Sequence, residues 1–445
     1  MRLFSSSSER SNKAGKNILI SFIARGISIL CSLMIVPLTI EFLNPTQYGI
    51  WLTISSVVAW IAFFDLGFAN GFRNRFAEAK AQDNIPLART YVSTTYFAMG
   101  IIMALLLIFV LLLNTQLDWT TILKTDVTYF EELRKVFNIL AIFFCMNMIV
   151  GIFSTLTTAN QNPGFSSIIN AAGQVVSLLV IYLLIRTKPG NLYNLALYYS
   201  GIPCIVSLII SVISFCVKPY KEFAPSVKYI KLKYIKDLMS LGIKFFVICV
   251  SVLVVFQISN LILMRECGAE SVTQYNIAYK YFNVLYSVAI IIITPIWSAF
   301  TDAYKKNDIK WIKDILKKYN LLILLVSVAA VILLIISPLV YKIWIKDNVQ
   351  IPFILSSAMA LYIIVLVIGN TYMYMINGIG TISMQLIIYL CFALISWPAI
   401  TFCTRHLGVY GALIFPTIVY TLQAIFARIQ LQKIINGSAK GLWAK

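Results

Sequence analysis

The amino-acid sequence predicts an all-α membrane protein with twelve transmembrane helices, arranged as two parallel-repeat six-helix bundles around a central cavity. Three observations lead to this fold class. Apolar runs of about twenty residues recur along the chain, positive charges collect in alternate loops between them, and short motifs of the first half return in the second.

The apolar runs define the predicted helices. A helix of roughly twenty residues, rising ~1.5 Å per residue, crosses the ~30 Å hydrocarbon core of a bilayer. Because lipid offers no partners to backbone amides, each run must satisfy its own hydrogen bonds as a helix. Hydrophobic residues make up 60% of the 445 residues and charged residues only 12%, where a soluble domain carries roughly twice that charge. The predicted spans are 17–41, 49–72, 91–113, 136–159, 165–186, 193–217, 241–264, 273–298, 319–341, 353–377, 382–403 and 410–430.

The charges outside the spans predict the orientation of the chain. With the N-terminus inside, the cytoplasmic loops and termini hold 24 lysines and arginines, and the opposite loops hold 9. The positive-inside rule therefore places both termini in the cytoplasm of a multi-pass protein. This distribution explains the net charge of +19, so we expect a lipid bilayer and no nucleic acid as partner. The eight cysteines and the single histidine predict no metal site, and we predict no catalytic residue and no cofactor.

Two motifs indicate an internal repeat. The segment Thr-Gln-Tyr-Gly-Ile at 46–50 returns as Thr-Gln-Tyr-Asn-Ile at 273–277, and Phe-Ala-Glu-Ala at 76–79 returns as Phe-Thr-Asp-Ala at 300–303. Six spans per half is an even number, so both halves enter the membrane with the same orientation, as in transporters built from parallel repeats. The predicted domains are an N-terminal lobe (1–220), a basic cytoplasmic linker (221–240) and a C-terminal lobe (241–445).

Charged side chains inside spans mark candidate sites, because each costs about 2.5–3.5 kcal/mol on insertion scales. Arg25 lies eight residues into span one, on a polar stripe that includes Ser28. Asp65 lies at a similar depth in span two. Arg25 and Asp65 are expected to form either a structural ion pair or a switchable pair that lines the cavity.

Two lysines also lie within spans. Lys280, in span eight, is on the longest polar stripe of the chain, together with Asn276 and Asn283. It either binds an anionic ligand or snorkels to the outer interface. Lys244, near the start of span seven, either snorkels to the cytoplasm or adds a further cation to the cavity. Three cations against one carboxylate give a net positive cavity, which favours an anionic substrate over a cationic drug.

Uncharged polar side chains occupy single faces of three other spans. Asn147 lies on span four and Asn370 on span ten, and Gln174 shares a face of span five with Asn170 and Ser177. Amides in a membrane either hold helices together or bond to sugar hydroxyls, which need both donors and acceptors. The sequence is compatible with both roles.

The first 95 residues carry a resemblance to a known family. The segment 33–60 includes Pro-Leu-Thr at 37–39 and Tyr-Gly-Ile-Trp-Leu-Thr at 48–53, and residues 65–74 read Asp-Leu-Gly-Phe-Ala-Asn-Gly-Phe-Arg-Asn. These segments resemble the start of bacterial O-antigen flippases, which form the polysaccharide-transport branch of the multidrug/oligosaccharidyl-lipid/polysaccharide exporter superfamily. Beyond residue 95 the likeness is one of length, topology and repeat rather than of motifs.

The resemblance implies a function. Such flippases carry O-antigen repeat units on undecaprenyl pyrophosphate from the cytoplasmic to the periplasmic leaflet of the bacterial inner membrane, by alternating access coupled to an H+ or Na+ gradient. Cations in the cavity are the family's expected substrate contacts, and Arg25 and Lys280 match them by type of position. The implied protein partners are a glycan polymerase and a chain-length regulator.

Several alternatives share parts of this pattern. Other exporters of the same fold move lipid-linked precursors of capsule, exopolysaccharide or peptidoglycan, or move drugs, although a drug exporter would favour acidic cavity residues. A membrane glycosyltransferase or polymerase is expected to need a large outward loop with catalytic groups. The longest predicted outward loop, 114–135, contains no evident nucleophile–base pair. A scaffold role in glycan assembly is a further alternative, but we predict a transporter rather than an enzyme.

Overall fold

The computed structural model describes residues 9–61, 68–160, 162–187, 190–239, 258–293, 300, 304, 308–379, 381 and 383–444. Regular secondary structure in these residues is helical throughout. Nine stretches of the described chain are long and apolar enough to cross a bilayer, and the last, Ser383–Ile435, contains two helices. They cover ten of the predicted spans, while spans two and seven include 62–67 and 240–257, which lie outside the described residues. The predicted all-α membrane fold is confirmed.

The helices are numbered here in chain order. They are α1 Glu9–Phe42, α2 Pro45–Val58, α3 Phe68–Ala81, α4 Ile85–Asn114, α5 Trp119–Leu123, α6 Phe130–Val150, α7 Ile152–Ala159, α8 Pro163–Thr187, α9 Leu192–Cys216, α10 Ile235–Met239, α11 Ser259–Cys267, α12 Ala269–Ile293, α13 Ile309–Ile345, α14 Phe353–Ile379, α15 Ser383–Leu407 and α16 Gly411–Ile435. The chain forms two units: unit 1 comprises Met1–Asn44 and Val57–Phe246, and unit 2 comprises Pro45–Ser56 and Val247–Lys445.

Several helices begin earlier than their hydropathy predicts, and side-chain caps mark two of these starts. The α4 helix starts at Ile85, where the side chain of Asn84 accepts a hydrogen bond of 3.0 Å from the amide of Leu87. The α13 helix starts after Asp308, whose carboxylate accepts from the amide of Trp311 at 3.0 Å. These caps satisfy free amides of the first turn and fix the start of each helix. Hydropathy marks only the part in hydrocarbon, so the predicted spans were short at these ends.

In unit 1, α1 packs along α8, while α6 and α8 pack on α9. The outer face of α4 exposes large apolar side chains, among them Leu105, Phe109 and Leu112, each at least 60% exposed. In water such a face would drive association, but in a bilayer it lies against lipid tails. This face of α4 therefore suits contact with lipid.

The described part of the linker (221–239) is docked on unit 1. Phe223 is buried against Phe76, with ring centroids 5.0 Å apart. The Nε of Arg89 donates to the carbonyl of Ala224 at 2.9 Å, and its guanidinium lies 4.6 Å from the ring centroid of Tyr229. The linker lysines stay exposed: Lys221, Lys228, Lys231, Lys233 and Lys236. The linker is therefore a packed part of unit 1 with a basic outer surface.

In unit 2, the two copies of the repeated Thr-Gln-Tyr motif pack against each other. Thr273 Oγ1 on α12 donates to the carbonyl of Pro45 at the start of α2, at 2.6 Å. A Cβ added to Gly49 would lie 1.8 Å from the carbonyl oxygen of Ala269. Only glycine therefore allows the backbones of α2 and α12 to approach this closely. The beginning of α2 belongs to unit 2 through these contacts.

The core of unit 2 lies between α12, α13, α14 and α16. Buried Ile293, Val367, Met375 and Leu431 form its centre, and aromatic side chains of α13 pack around them. This core holds α12, which carries Lys280, in a fixed position relative to α14.

Candidate functional site

A polar cavity of about 250 Å³ lies within unit 1, between α1, α6, α8 and α9. We call it the unit-1 cavity. Its polar lining residues are Ser32, Asn147, Asn170, Gln174, Ser177, Tyr199 and Ser207, and its remaining lining residues are Cys31, Ile35, Ile169, Gly173 and Pro203. The lining positions fall near the middle of α1, α8 and α9, so the cavity lies far from both ends of these helices.

Helical spacing explains why α8 and α9 contribute several residues each. Residues three or four apart lie on the same side of a helix, as Asn170, Gln174 and Ser177 do on α8. Tyr199 and Ser207 lie one turn to either side of Pro203 on α9. Glycine at 173 brings the helices close, because a Cβ there would lie 3.2 Å from the Cα of Pro203. The two stripes therefore face each other across a narrow space.

Two polar atoms of the lining are buried and have no hydrogen-bond partner in the part of the chain that the structure describes. They are Oε1 of Gln174 and Oγ of Ser177. Ser177 is only 2% exposed, whereas Asn170 is exposed, so the cavity reaches from the surface of unit 1 into its interior. Because buried polar atoms almost always have partners, these atoms indicate that the cavity holds water or a ligand with hydroxyl or amide groups.

The unit-1 cavity is electrically neutral. Its described lining includes no aspartate, glutamate, lysine, arginine or histidine. Of the predicted site residues it brings together Asn147 and Gln174, from stripes on two different spans. Such a lining can donate to and accept from a neutral polar ligand, but it holds no countercharge for an ion.

Arg25 and Ser28 lie next to this cavity on α1 rather than in its lining. Arg25 is exposed and makes no hydrogen bond or ion pair with another described residue, and Ser28 is half-buried. Arg25 precedes Ser32 by seven residues, or about 10 Å along the helix. Asp65, its predicted partner, lies outside the described residues, so that pairing stays a prediction.

Lys280 belongs to unit 2 and is half-buried. Its ammonium donates to the hydroxyl of Tyr48 on α2 at 3.3 Å, and Tyr48 is itself 1% exposed. Asn276, one turn earlier, donates from Nδ2 to Oδ1 of Asn260 at 2.9 Å. Oδ1 of Asn283 is buried without a partner among the described residues. This stripe is therefore part of a polar interior in unit 2.

The remaining predicted site residues lie elsewhere. Nδ2 of Asn370 donates to the carbonyl of Leu366 in its own helix, at 2.9 Å. Lys244 lies outside the described residues. Asn370 does not line the unit-1 cavity.

Sequence reasoning missed several residues of these sites. The sequence could have identified Tyr199 and Ser207, because their spacing of eight residues forms a polar stripe on span six. Tyr48 has no such signal, because its contact with Lys280 joins positions 232 residues apart. The sequence likewise gives no signal for Tyr389, whose hydroxyl donates to Oε1 of Gln423 at 2.5 Å.

Residues 14–301, more than half of the chain, match the model of a family described as polysaccharide biosynthesis protein. No curated protein matches the chain.

Solved structures show the fold. The chain resembles a multidrug resistance MATE family transporter of the MOP superfamily in an inward-facing conformation, with a TM-score of 0.69, 13% identity and coverage of 95% of both chains. It also resembles an outward-facing structure of such a transporter, with a TM-score of 0.66, 13% identity and coverage of 96% of both chains. A MOP superfamily transporter from Pyrococcus furiosus gives a TM-score of 0.63, with the same identity and coverage.

These neighbours establish the fold, and the family model establishes the family of the chain. The two MATE structures are described as transporters, the class of protein that the sequence predicts. The chain belongs to the polysaccharide biosynthesis protein family.

Proposed function

We propose that the protein is a flippase that moves O-antigen oligosaccharide repeat units, linked to undecaprenyl pyrophosphate, from the cytoplasmic to the periplasmic leaflet of the bacterial inner membrane. The observation that carries this proposal is the neutral polar cavity inside an apolar bundle of a polysaccharide biosynthesis family member. A cavity rich in amides and hydroxyls suits a sugar, which presents donors and acceptors in equal measure. A cationic drug would leave its charge without a carboxylate in the described lining.

The anionic part of the substrate requires cations. Lys280 and Arg25 are the candidates among the described residues, and Lys244 is a further one by sequence. A lysine ammonium and an arginine guanidinium both bind phosphate oxygens through charge-assisted hydrogen bonds. We assign the pyrophosphate to these side chains and the neutral sugars to the amide-rich surfaces.

Transport is proposed to follow alternating access, with an H+ or Na+ gradient as the driving force and both termini in the cytoplasm. Asp65 is the candidate coupling residue by sequence. A glycan polymerase and a chain-length regulator would receive the flipped unit on the periplasmic side. Lipid-linked precursors of capsule or exopolysaccharide have the same chemistry and are the alternative cargo.

Deletion of the gene in its host tests the proposal. We expect complete repeat units to accumulate on undecaprenyl pyrophosphate inside the cell and the surface polymer to disappear, because the block is at translocation. The glycan that disappears identifies the cargo as O-antigen, capsule or exopolysaccharide. Surface glycan reduced to single repeat units would instead indicate a polymerase. An unchanged lipid-linked pool and surface, in a strain without a second flippase, would overturn the proposal.

Complementation of the deletion tests the cations. Lys280→Ala and Arg25→Ala are expected to restore little surface polymer, because each removes a positive charge from within a span. Lys313→Ala is the matched control, since Lys313 is exposed near the start of α13 and should complement fully. Full complementation by both span variants at normal protein levels would remove them from the substrate site.

A further inference from the structure

The unit-1 cavity is small for a binding site. Its volume of about 250 Å³ lies below the roughly 300–1,000 Å³ of pockets that take drug-sized ligands. It is also several times the ~30 Å³ that one water molecule occupies in the liquid. The cavity therefore fits one small polar group and excludes an oligosaccharide of several rings.

The lining defines the chemistry of that group. Asn147 and Gln174 each offer an amide with donors and an acceptor, and Ser32, Ser177 and Ser207 offer hydroxyls that do both. A sugar ring carries hydroxyls around its rim, and each can donate and accept. The ring of Tyr199 adds an apolar surface, as do Ile35, Ile169 and Pro203.

The unpartnered atoms point to a ligand with donors. Oε1 of Gln174 is an acceptor and Oγ of Ser177 can accept, and both are buried. Leaving such atoms unpaired is costly, whereas a ligand hydroxyl within reach would satisfy both. Ser177 is the stronger indicator, because it is 2% exposed and therefore depends on the contents of the cavity.

The neutrality of the lining excludes the charged end of a lipid-linked substrate. Moving a pyrophosphate into a site without cations would leave its charge uncompensated, at a cost far above that of a neutral hydroxyl. A metal cation or an amine is disfavoured for the converse reason, since the described lining offers no carboxylate.

We propose that the unit-1 cavity binds one uncharged sugar residue of the transported glycan and reads its hydroxyl pattern through Gln174, Ser177 and Asn147. This proposal rests on the proposed function and deepens it. It assigns the choice of sugar to the unit-1 cavity and the binding of pyrophosphate to the cationic side chains outside its lining.

Binding to the purified full chain in lipid nanodiscs tests the proposal. The probes are the repeat-unit oligosaccharide released by mild acid from the host's lipid-linked pool, its constituent monosaccharides and inorganic pyrophosphate. Saturation-transfer difference NMR detects weak binding and shows which ring contacts the protein. We expect one neutral monosaccharide to bind, one ring of the oligosaccharide to receive most of the transfer, and pyrophosphate not to compete.

Ser177→Ala separates binding from folding. The substitution removes a buried hydroxyl that bonds to none of the described residues, so the apo protein should melt at the same temperature or higher. Sugar binding should weaken about threefold to tenfold, which corresponds to one hydrogen bond. A purely structural role for Ser177 predicts no loss of binding.

Gln174→Leu removes an amide at nearly constant volume and should weaken binding at least as much. Gln116→Leu is its matched control, because Gln116 is exposed in unit 1 outside the cavity. Binding by Gln116→Leu should equal that of the wild type.

Two results would overturn the proposal: no neutral sugar binds, or the Ser177 and Gln174 variants bind sugar and transport like the wild type. Competition by pyrophosphate that depends on Gln174 would also overturn it. If these occur while gene deletion still accumulates lipid-linked repeat units, the flippase function stands and only the sugar site fails. If sugar binds as expected but deletion leaves the lipid pool unchanged, the proposed function fails instead.

Discussion

The ammonium of Lys280 donates a hydrogen bond to the hydroxyl of Tyr48, at 3.3 Å, and so joins α12 to the first turns of α2. Tyr48 is almost fully buried, so its hydroxyl is a fixed acceptor for the lysine. The acceptor is a neutral hydroxyl, and it orients the ammonium. The proposed function uses this lysine as a contact for the pyrophosphate.

Tyr48→Phe should therefore lower stability, while Lys280→Met should abolish transport. The first change removes one partner of a charged donor, and we expect a loss of about 1.5–3 kcal/mol in the free energy of unfolding. It is measured as a lower Tm of the purified protein. The second change keeps the apolar stem and removes the charge, so surface polymer should be lost at normal protein levels. Normal polymer with Lys280→Met would show that the lysine only supports the fold.

Gly49→Ala should prevent folding of unit 2. The added Cβ would lie 1.8 Å from the carbonyl oxygen of Ala269, and both groups are held by packed helices. We expect a loss of more than about 3 kcal/mol, read as little monodisperse protein in size-exclusion chromatography. Gly100→Ala in α4 is the matched control, because a Cβ there meets nothing within 4 Å. Its free energy of unfolding should stay the same or rise by about 0.5–1 kcal/mol, because alanine has the higher helix propensity. Its Tm should therefore be unchanged or higher. Equal folding of the two variants would contradict this packing.

Arg89→Met should release the linker from unit 1. The variant loses the hydrogen bond to the carbonyl of Ala224 and the contact with the ring of Tyr229. Because the linker lysines are exposed, brief trypsin treatment should cut between 221 and 239 several times faster than in the wild type. Arg73→Met removes an exposed arginine nearby and should leave the cleavage rate unchanged. A wild-type rate for Arg89→Met would mean that other contacts hold the linker.

Asp118 predicts how the loop before α5 responds to acid. Hydrogen bonds from the hydroxyls of Thr120 and Thr121 lower the pKa of Asp118 from its ordinary value of 3.8 to about 2. A lowered pKa contributes stability that is fully present above pH 4 and is lost as the pH falls through about 2. The fluorescence of Trp119 is obtained by subtracting the emission of the Trp119→Phe variant from that of the wild type. It should stay constant from pH 7 to pH 4 and change only below pH 4. A transition centred at pH 5 or above would contradict the lowered pKa of Asp118.

The sequence determined the features that depend on neighbouring residues. Hydropathy located ten spans that coincide with described helices, because burial in lipid requires a continuous apolar run. Helical spacing placed Asn170, Gln174 and Ser177 on one face of α8, since the period of 3.6 is a property of the helix alone. Helix ends were less accurate, because Asn84 and Asp308 extend α4 and α13 beyond their apolar runs.

The tertiary structure alone decided which polar faces meet. A stripe on a helix does not encode its partner, because helix packing depends on the shapes of side chains far apart in the chain. Thus Asn147 of α6 shares a cavity with Gln174 of α8 and Tyr199 of α9, while Arg25 remains outside its lining. In the same way, Lys280 meets Tyr48 only because Gly49 and Thr273 bring α2 and α12 into contact.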